Sequence, residues 1–258
     1  MTFRRLDQLR EPLAATARTV AILPLAAVET HGPHLPLGTD GLIAEGIVAA
    51  ASRLHRGGAD VFCLPLLWLG ASAEHSHRAG TLSQEPESLI AQIVTIGDGL
   101  HRLGVRRVVL FNGHGGNVAA AAIAALKLRT RHAMLAATAH WLDFGLPPDM
   151  TPPSQARLDV HGGWIETAAM LHLAPDLVGP TAAGARPAQA PAPLLWPQGP
   201  VRWGWRSDDL TREGEGWIGD PGAATPALGA ALVDHAARAL CRLCDELAAA
   251  SWPPAAAG

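Results

Sequence analysis

An apolar run from Thr19 to Val28 ends abruptly in a stiff turn that carries Glu29, His31, His34 and Asp40. No other stretch restricts the fold so strongly. The run, Thr19-Val-Ala-Ile-Leu-Pro-Leu-Ala-Ala-Val28, is short, continuous and apolar, which predicts a buried strand. The stretch after the turn, Gly41 to Leu54, predicts a helix with its apolar face inward. Strand, turn and helix in that order put the turn at the carboxyl end of a core strand, where open α/β sheets bind their ligands. Pro33 and Pro36 fix their backbone angles, so the side chains around them are held rather than left to wander. Metal ligation needs that stiffness, because ligand distances are tolerated only to within about 0.2 Å.

The alternation then repeats. Asp60 to Trp68 predicts a second strand, and Gly70 to Leu82 a loop bearing glycine and histidine. A helix begins near Ser83 with Pro86 in its first turn, and Leu89, Ile93, Ile96, Leu100 and Leu103 keep helical spacing. Val105 to Phe111 predicts a strand, Asn112 to Asn117 a loop, Val118 to Arg131 an alanine-rich helix and Ala133 to His140 another strand. Strands joined by single helices run parallel with right-handed crossovers, so the sheet is covered on both faces. The expected class is α/β.

Beyond that unit, Gly163 to Leu173 predicts a short helix, and Thr225 caps a last helix running from Pro226 to Ala250. Between them, 180–200 is rich in proline and alanine. Only one convincing helix follows it, too little for a second domain. The chain is therefore read as one domain, 1–258, and the segment as a functional lid or a subunit contact. Trp196, Trp203, Trp205 and Trp217 suit either such a lid or ordinary core packing.

Composition excludes several function classes. A net charge of −3 over 258 residues argues against a duplex nucleic-acid surface or an anionic membrane as partner. No uncharged apolar run reaches the length of a membrane span, and the first residues have charges but no apolar signal core. Cys63, Cys241 and Cys244 are an odd set that suits a reducing cytoplasm better than a disulfide framework. Cys241 and Cys244 lie inside the last helix and read as small buried residues. There is no tyrosine, so no phenol serves as acid, base or nucleophile.

Glu29, His31, Asp40, His114 and Glu166 are carboxylates and imidazoles on three different loops or loop–helix junctions. Mixed nitrogen and oxygen donors suit zinc, manganese or iron. His34 reads as a support for its neighbours rather than a ligand. His55, His101, His132, His172 and His235 are scattered on helices or strand starts and read as ordinary polar residues. The loop Gly113-His-Gly-Gly-Asn-Val118 lacks both dinucleotide-binding spacing and a Walker lysine, which sets aside a phosphate cradle.

Five ordered segments carry a family resemblance. They are Glu29-Thr-His31-Gly-Pro-His34-Leu-Pro with Asp40, Gly70-Ala-Ser-Ala-Glu74-His75 with Gly80-Thr-Leu, Asn112-Gly-His114-Gly-Gly-Asn117, His161-Gly-Gly-Trp-Ile-Glu166-Thr, and Gly219-Asp-Pro221. Together they resemble the creatininase (creatinine amidohydrolase) family. The resemblance implies a three-layer α/β/α fold with a mostly parallel central sheet, two divalent metal ions per chain, and a homo-oligomer, hexameric in that family. It implies that Asp40 bridges the metals, that Glu29 and His114 complete one site, and that His31 serves the other. Creatininase takes a further ligand from a Glu at the position of Gly116, so the resemblance leaves one ligand missing; Glu166 is the expected substitute. His161 matches the residue that transfers the proton to the leaving nitrogen, with Glu166 or Asp40 as rivals for that task. Trp141 falls where creatininase has a tryptophan covering its substrate, and Arg157 replaces a second one. Glu74 and His75 match a segment near the active site and are expected to bind substrate or to form a structural pair.

The function expected on these grounds is hydrolysis of a C–N amide bond, other than an ordinary peptide bond, by metal-activated water, in a cytoplasmic enzyme acting on a small cyclic or linear amide. Family branches also deformylate a pyrimidine intermediate or trim a peptide, and the residues do not choose among these. The alternative is a non-catalytic ligand-binding protein with a closed, structural metal centre.

Overall fold

The computed structural model describes residues 3–10, 14–153, 159–180, 188–189, 191–197, 201, 203–210 and 216–252. Five strands form one sheet: β1 (Phe3–Arg5), β2 (Thr19–Leu25), β3 (Asp60–Cys63), β4 (Arg107–Asn112) and β5 (Leu135–His140). Their order is β1-β3-β2-β4-β5 and every pairing is parallel. The helices are α1 (Thr39–Leu54), α2 (Pro86–Arg102), α3 (Val118–His132), α4 (Trp164–Leu173), the short α5 (Ser207–Leu210) and α6 (Pro226–Ala249).

Each face of the sheet has its own apolar core. Val20, Ile22, Val109 and Phe111 point to the side covered by α1, α4 and α6. Ala21, Leu23, Val108 and Leu110 point to the other side, against α2 and α3. Successive residues of β2 and β4 alternate between the two, which is why these central strands are apolar throughout. The result is the expected three-layer α/β/α arrangement.

The connection leaving β2 runs to β3 on one side, whereas that leaving β4 runs to β5 on the other. The strand order therefore reverses between β2 and β4. A crevice opens at such a point, beyond the carboxyl ends of the two strands.

Strand limits differ from the sequence expectation, β4 running Arg107–Asn112 rather than Val105 to Phe111. β2 stops at Leu25 because the next residues bond elsewhere: Ala26 N–H donates to Leu67 O at 2.9 Å, and Ala26 O accepts from the Asn117 side chain at 3.0 Å. β3 stops at Cys63, before Pro65, which has no N–H for a ladder; only Leu67 pairs with Leu25 beyond it. β5 starts at Leu135 because Ala133 adopts a left-handed conformation, φ 54°, that ends α3. Edge strand β1 was not anticipated; its three residues have no apolar periodicity.

Thr225 caps α6 as expected, its hydroxyl accepting from Leu228 N–H at 3.2 Å. Among the described residues, no helix is long and apolar enough to cross a membrane. The segment 180–200 lies partly outside the described residues. Of its described residues, Ala188 and Trp196 share a small apolar cluster with Trp203, Trp205, Leu210 and Ile218.

Candidate metal centre

The turn after β2 is pinned at both ends. Glu29 N–H donates to Leu37 O at 3.0 Å, and Val28 pairs with Leu82. Gly32 has φ 79°, and a Cβ there would come within 2.9 Å of the Trp217 ring and 3.1 Å of His34. Only glycine fits that bend. Asp40 lies in the first turn of α1, where the aligned peptide dipoles favour negative charge.

His114 follows β4 on a loop locked by two asparagines. Asn112 Oδ1 accepts from His114 N–H at 3.1 Å, and Asn117 donates to Asn112 Oδ1 at 3.2 Å while accepting from Ala71 N–H at 2.8 Å. His161 pairs with Ile218 across a single antiparallel bridge. Glu166 sits in the first turn of α4, its Oε2 accepting from Gly162 N–H at 2.6 Å.

These side chains converge. His31 Nε2 is 3.1 Å from Asp40 Oδ1 and 3.8 Å from both Glu29 Oε1 and Glu166 Oε2. His114 Nδ1 lies 3.1 Å from Glu29 Oε1 and 3.2 Å from Asp40 Oδ2. The two oxygens of Asp40 thus face different histidines. His161 Nδ1 is 3.6 Å from Glu29 Oε1. Glu29 and His31 are fully buried, and Asp40 is 1 % exposed. Three overlapping ligand triads result: Glu29, His31 and His161; Glu29, Glu74 and His114; and His31, Asp40 and Glu166.

Tautomers are set from outside the cluster. His31 Nδ1 donates to Glu29 O at 3.1 Å, which leaves Nε2 facing the carboxylates. His161 Nε2 donates to Thr30 O at 2.6 Å, which leaves Nδ1 facing Glu29. Ser72 Oγ holds Glu29 Oε2. Among the described residues, Glu29 Oε1 and Asp40 Oδ2 have no directed hydrogen bond. Buried carboxylate oxygens left in that state call for a cation, so the donor set fits a divalent metal.

The electrostatics agree. Burial pushes Glu29 upward, but His114 above all holds it well below the usual carboxylate range. Burial also opposes the charge on Asp40, and His31 above all keeps it low. Burial depresses His31, yet Asp40 and Glu166 outweigh it and raise it to about 10. His114 is raised well above its ordinary value against the same burial, chiefly by Glu29. Without metal, protons on these imidazoles supply the positive charge the carboxylates demand.

A profile of the creatininase family, described as creatinine amidohydrolase, matches residues 7–244. The chain belongs to the creatininase family. A mycofactocin precursor peptide peptidase from Mycobacterium tuberculosis (strain CDC 1551 / Oshkosh) is 36% identical over 234 residues, covering 86% of this chain and 84% of that protein. A creatinine amidohydrolase from Pseudomonas putida is 31% identical over 185 residues, covering 65% and 69%. Among solved structures, a mutant creatininase of zinc–zinc type is 25% identical and superposes with a TM-score of 0.71 over 92% of each chain. A mutant creatininase complexed with creatine superposes at 0.76 over 95% of this chain and 99% of that one, at 24% identity, a likeness of fold. The chain is thus a creatininase-family hydrolase of C–N bonds.

Within this family frame, the structure brings Glu29, His31, Asp40, His114, His161 and Glu166 together. Glu74 and His75 join them from the loop after β3: Glu74 Oε1 is 3.3 Å from His114 Nε2, and the His75 ring stacks on His161 at 3.9 Å. Burial first, and then His161, pushes His75 down to about 2, so it is a neutral ring. Trp141 follows β5, only 2 % exposed, and packs in the α1, α4 and α6 core. Arg157 lies outside the described residues.

His34 is a support, as read: its Nε2 donates to Gly162 O at 2.9 Å and ties the β2 turn to the segment carrying His161. Of the scattered histidines, His55 and His235 donate to Ala59 O and Phe144 O, and His132 contacts Asp98. Sequence reasoning missed Ser72, Asn112 and Asn117 as holders of the site, although all three lie inside the quoted segments. It also missed His140, which burial lowers to about 4 and which faces the backbone of Gly113.

Proposed function

We propose that this chain is a metal-dependent amidohydrolase that cleaves a C–N bond in a peptide or peptide-like amide. The observation that carries the metal dependence is the buried cluster in which Glu29 Oε1 and Asp40 Oδ2 lack directed partners. Asp40, with one oxygen toward His31 and the other toward His114, would contribute to both of two metal sites. Glu29 and His114 would complete one site, and His31 with Glu166 the other. Zinc and manganese are the metals we favour, since creatininase structures of zinc–zinc type and with manganese share the fold.

Bound there, divalent cations supply Lewis-acid polarisation of the amide carbonyl and an activated water. His161 handles the proton. With its Nε2–H held by Thr30 O, Nδ1 accepts a proton beside Glu29 and delivers it to the departing nitrogen. His75, stacked on His161 at 3.9 Å, would hold that ring in its orientation.

A peptide-like substrate is favoured over creatinine because mycofactocin precursor peptide peptidases match over 86% of this chain, against 65% for the creatinine amidohydrolase. A single domain over 1–258, a homo-oligomer and a cytoplasmic location complete the proposal, the last in keeping with three free cysteines. The test is a screen of creatinine, formamides, lactams and short peptides against protein reconstituted with zinc or manganese. Metal-dependent release of an amine from a peptide is expected. Turnover of creatinine alone would overturn the substrate, and no turnover of any amide would overturn the enzyme.

A further inference from the structure

The space beside Gly116 is already filled. A Cβ at Gly116 would lie 2.5 Å from Glu74 Oε1, 2.5 Å from His114 Nε2 and 2.3 Å from Ala71 O. Any side chain there would collide with all three. Glu74 comes instead from the turn after β3 and approaches the histidine ring on the edge opposite the carboxylate cluster. Nε2 donates to Ala71 O at 3.1 Å and has Glu74 Oε1 beside it at 3.3 Å, while Nδ1 faces Glu29 and Asp40.

We propose that Glu74 is a positioning residue that holds the Nε2–H of His114, so that Nδ1 is presented unprotonated to a metal at Glu29 and Asp40, and that Gly116 is glycine to admit it. A carboxylate on the far nitrogen of a ligating histidine fixes the tautomer, orients the ring and raises its basicity. The neighbouring acceptor, Ala71 O, favours the same tautomer, and Asn117 holds Ala71 N–H at 2.8 Å. The loop that carries Glu74 is therefore registered against the loop that carries His114. This inference rests on the metal-centre reading and deepens it, by assigning to Glu74 a role toward the metal rather than the substrate.

The test is zinc affinity by chelator competition on the full chain, which needs no substrate. Glu74→Ala should weaken zinc binding 10–100-fold. Glu74→Gln, whose carbonyl still accepts from Nε2–H, should recover most of that loss. Gly116→Ala should weaken binding like Glu74→Ala, although it removes no polar group. Equal losses in Glu74→Gln and Glu74→Ala would overturn the proposal in favour of direct ligation by Glu74. Unchanged affinity in both would overturn it outright while leaving the metal centre standing. Failure of the wild-type chain to bind zinc would bring down the metal centre itself. Thermal melting of each metal-free variant separates these outcomes from misfolding, and the Glu74 pair decides the matter if Gly116→Ala does not fold.

Discussion

Metal binding to this protein should expel protons, and the structure sets how many. His31 is raised to about 10, and His114 well above its ordinary value, by the carboxylates around them. Both lie far above the ~6.5 of a free imidazole, so both rings carry a proton in the metal-free protein near neutrality. Neither can ligate a cation until that proton leaves. Displacing one proton at each of the two sites makes each ion's apparent affinity rise about tenfold per pH unit, or about 1.4 kcal/mol, and the product for both ions about 100-fold. The sign follows directly: affinity climbs with pH and flattens only as pH nears the His31 value. Zinc titrations by calorimetry at pH 6, 6.5 and 7, in buffers of different ionisation enthalpy, count the protons. Close to two per chain is expected. A count near zero with a flat affinity profile would refute the reasoning, because the rings would then be neutral before metal arrives.

Three further outcomes are expected. Asp40→Asn should remove activity and at least one bound metal, read by elemental analysis, with a folded circular-dichroism spectrum; full activity with intact metal would refute its bridging role. Glu166→Gln should weaken one metal selectively, and unchanged stoichiometry at limiting metal would reduce Glu166 to a partner of Gly162 N–H. Asn117→Ala removes a fully buried side chain bonded to Ala26, Ala71 and Asn112, and should cost about 2–3 kcal/mol, lowering the melting midpoint by roughly 5–10 °C.

The sheet was legible because its strands and helices alternate with clean periodicity, and hydrophobic patterning is strongest where burial is complete. The turn after β2 was legible for a different reason: proline and charged groups cannot share ten residues of core-adjacent chain without a task. What the sequence concealed was the polar scaffolding. Asn117 reads locally as the residue before a helix, but its amide bridges β2, β4 and the loop after β3, contacts between residues as far as 91 positions apart. Likewise Glu74 is unremarkable in its own loop. Its role emerges only when the space beside Gly116 and the far edge of His114 are seen together. Trp141 illustrates the reverse case: its position in the chain suggested a substrate contact, and packing buries it in the core.

The proposed hydrolysis depends on Glu29, His31, Asp40 and His114 holding divalent cations between them. Diffraction from zinc-soaked crystals, recorded on both sides of the zinc absorption edge, locates the ion directly. Anomalous density at the cluster, within ligating distance of Asp40 and His114 and of Asp40 and His31, is the result expected. Zinc bound elsewhere on the chain, with the cluster still occupied only by its own hydrogen bonds, would contradict the account.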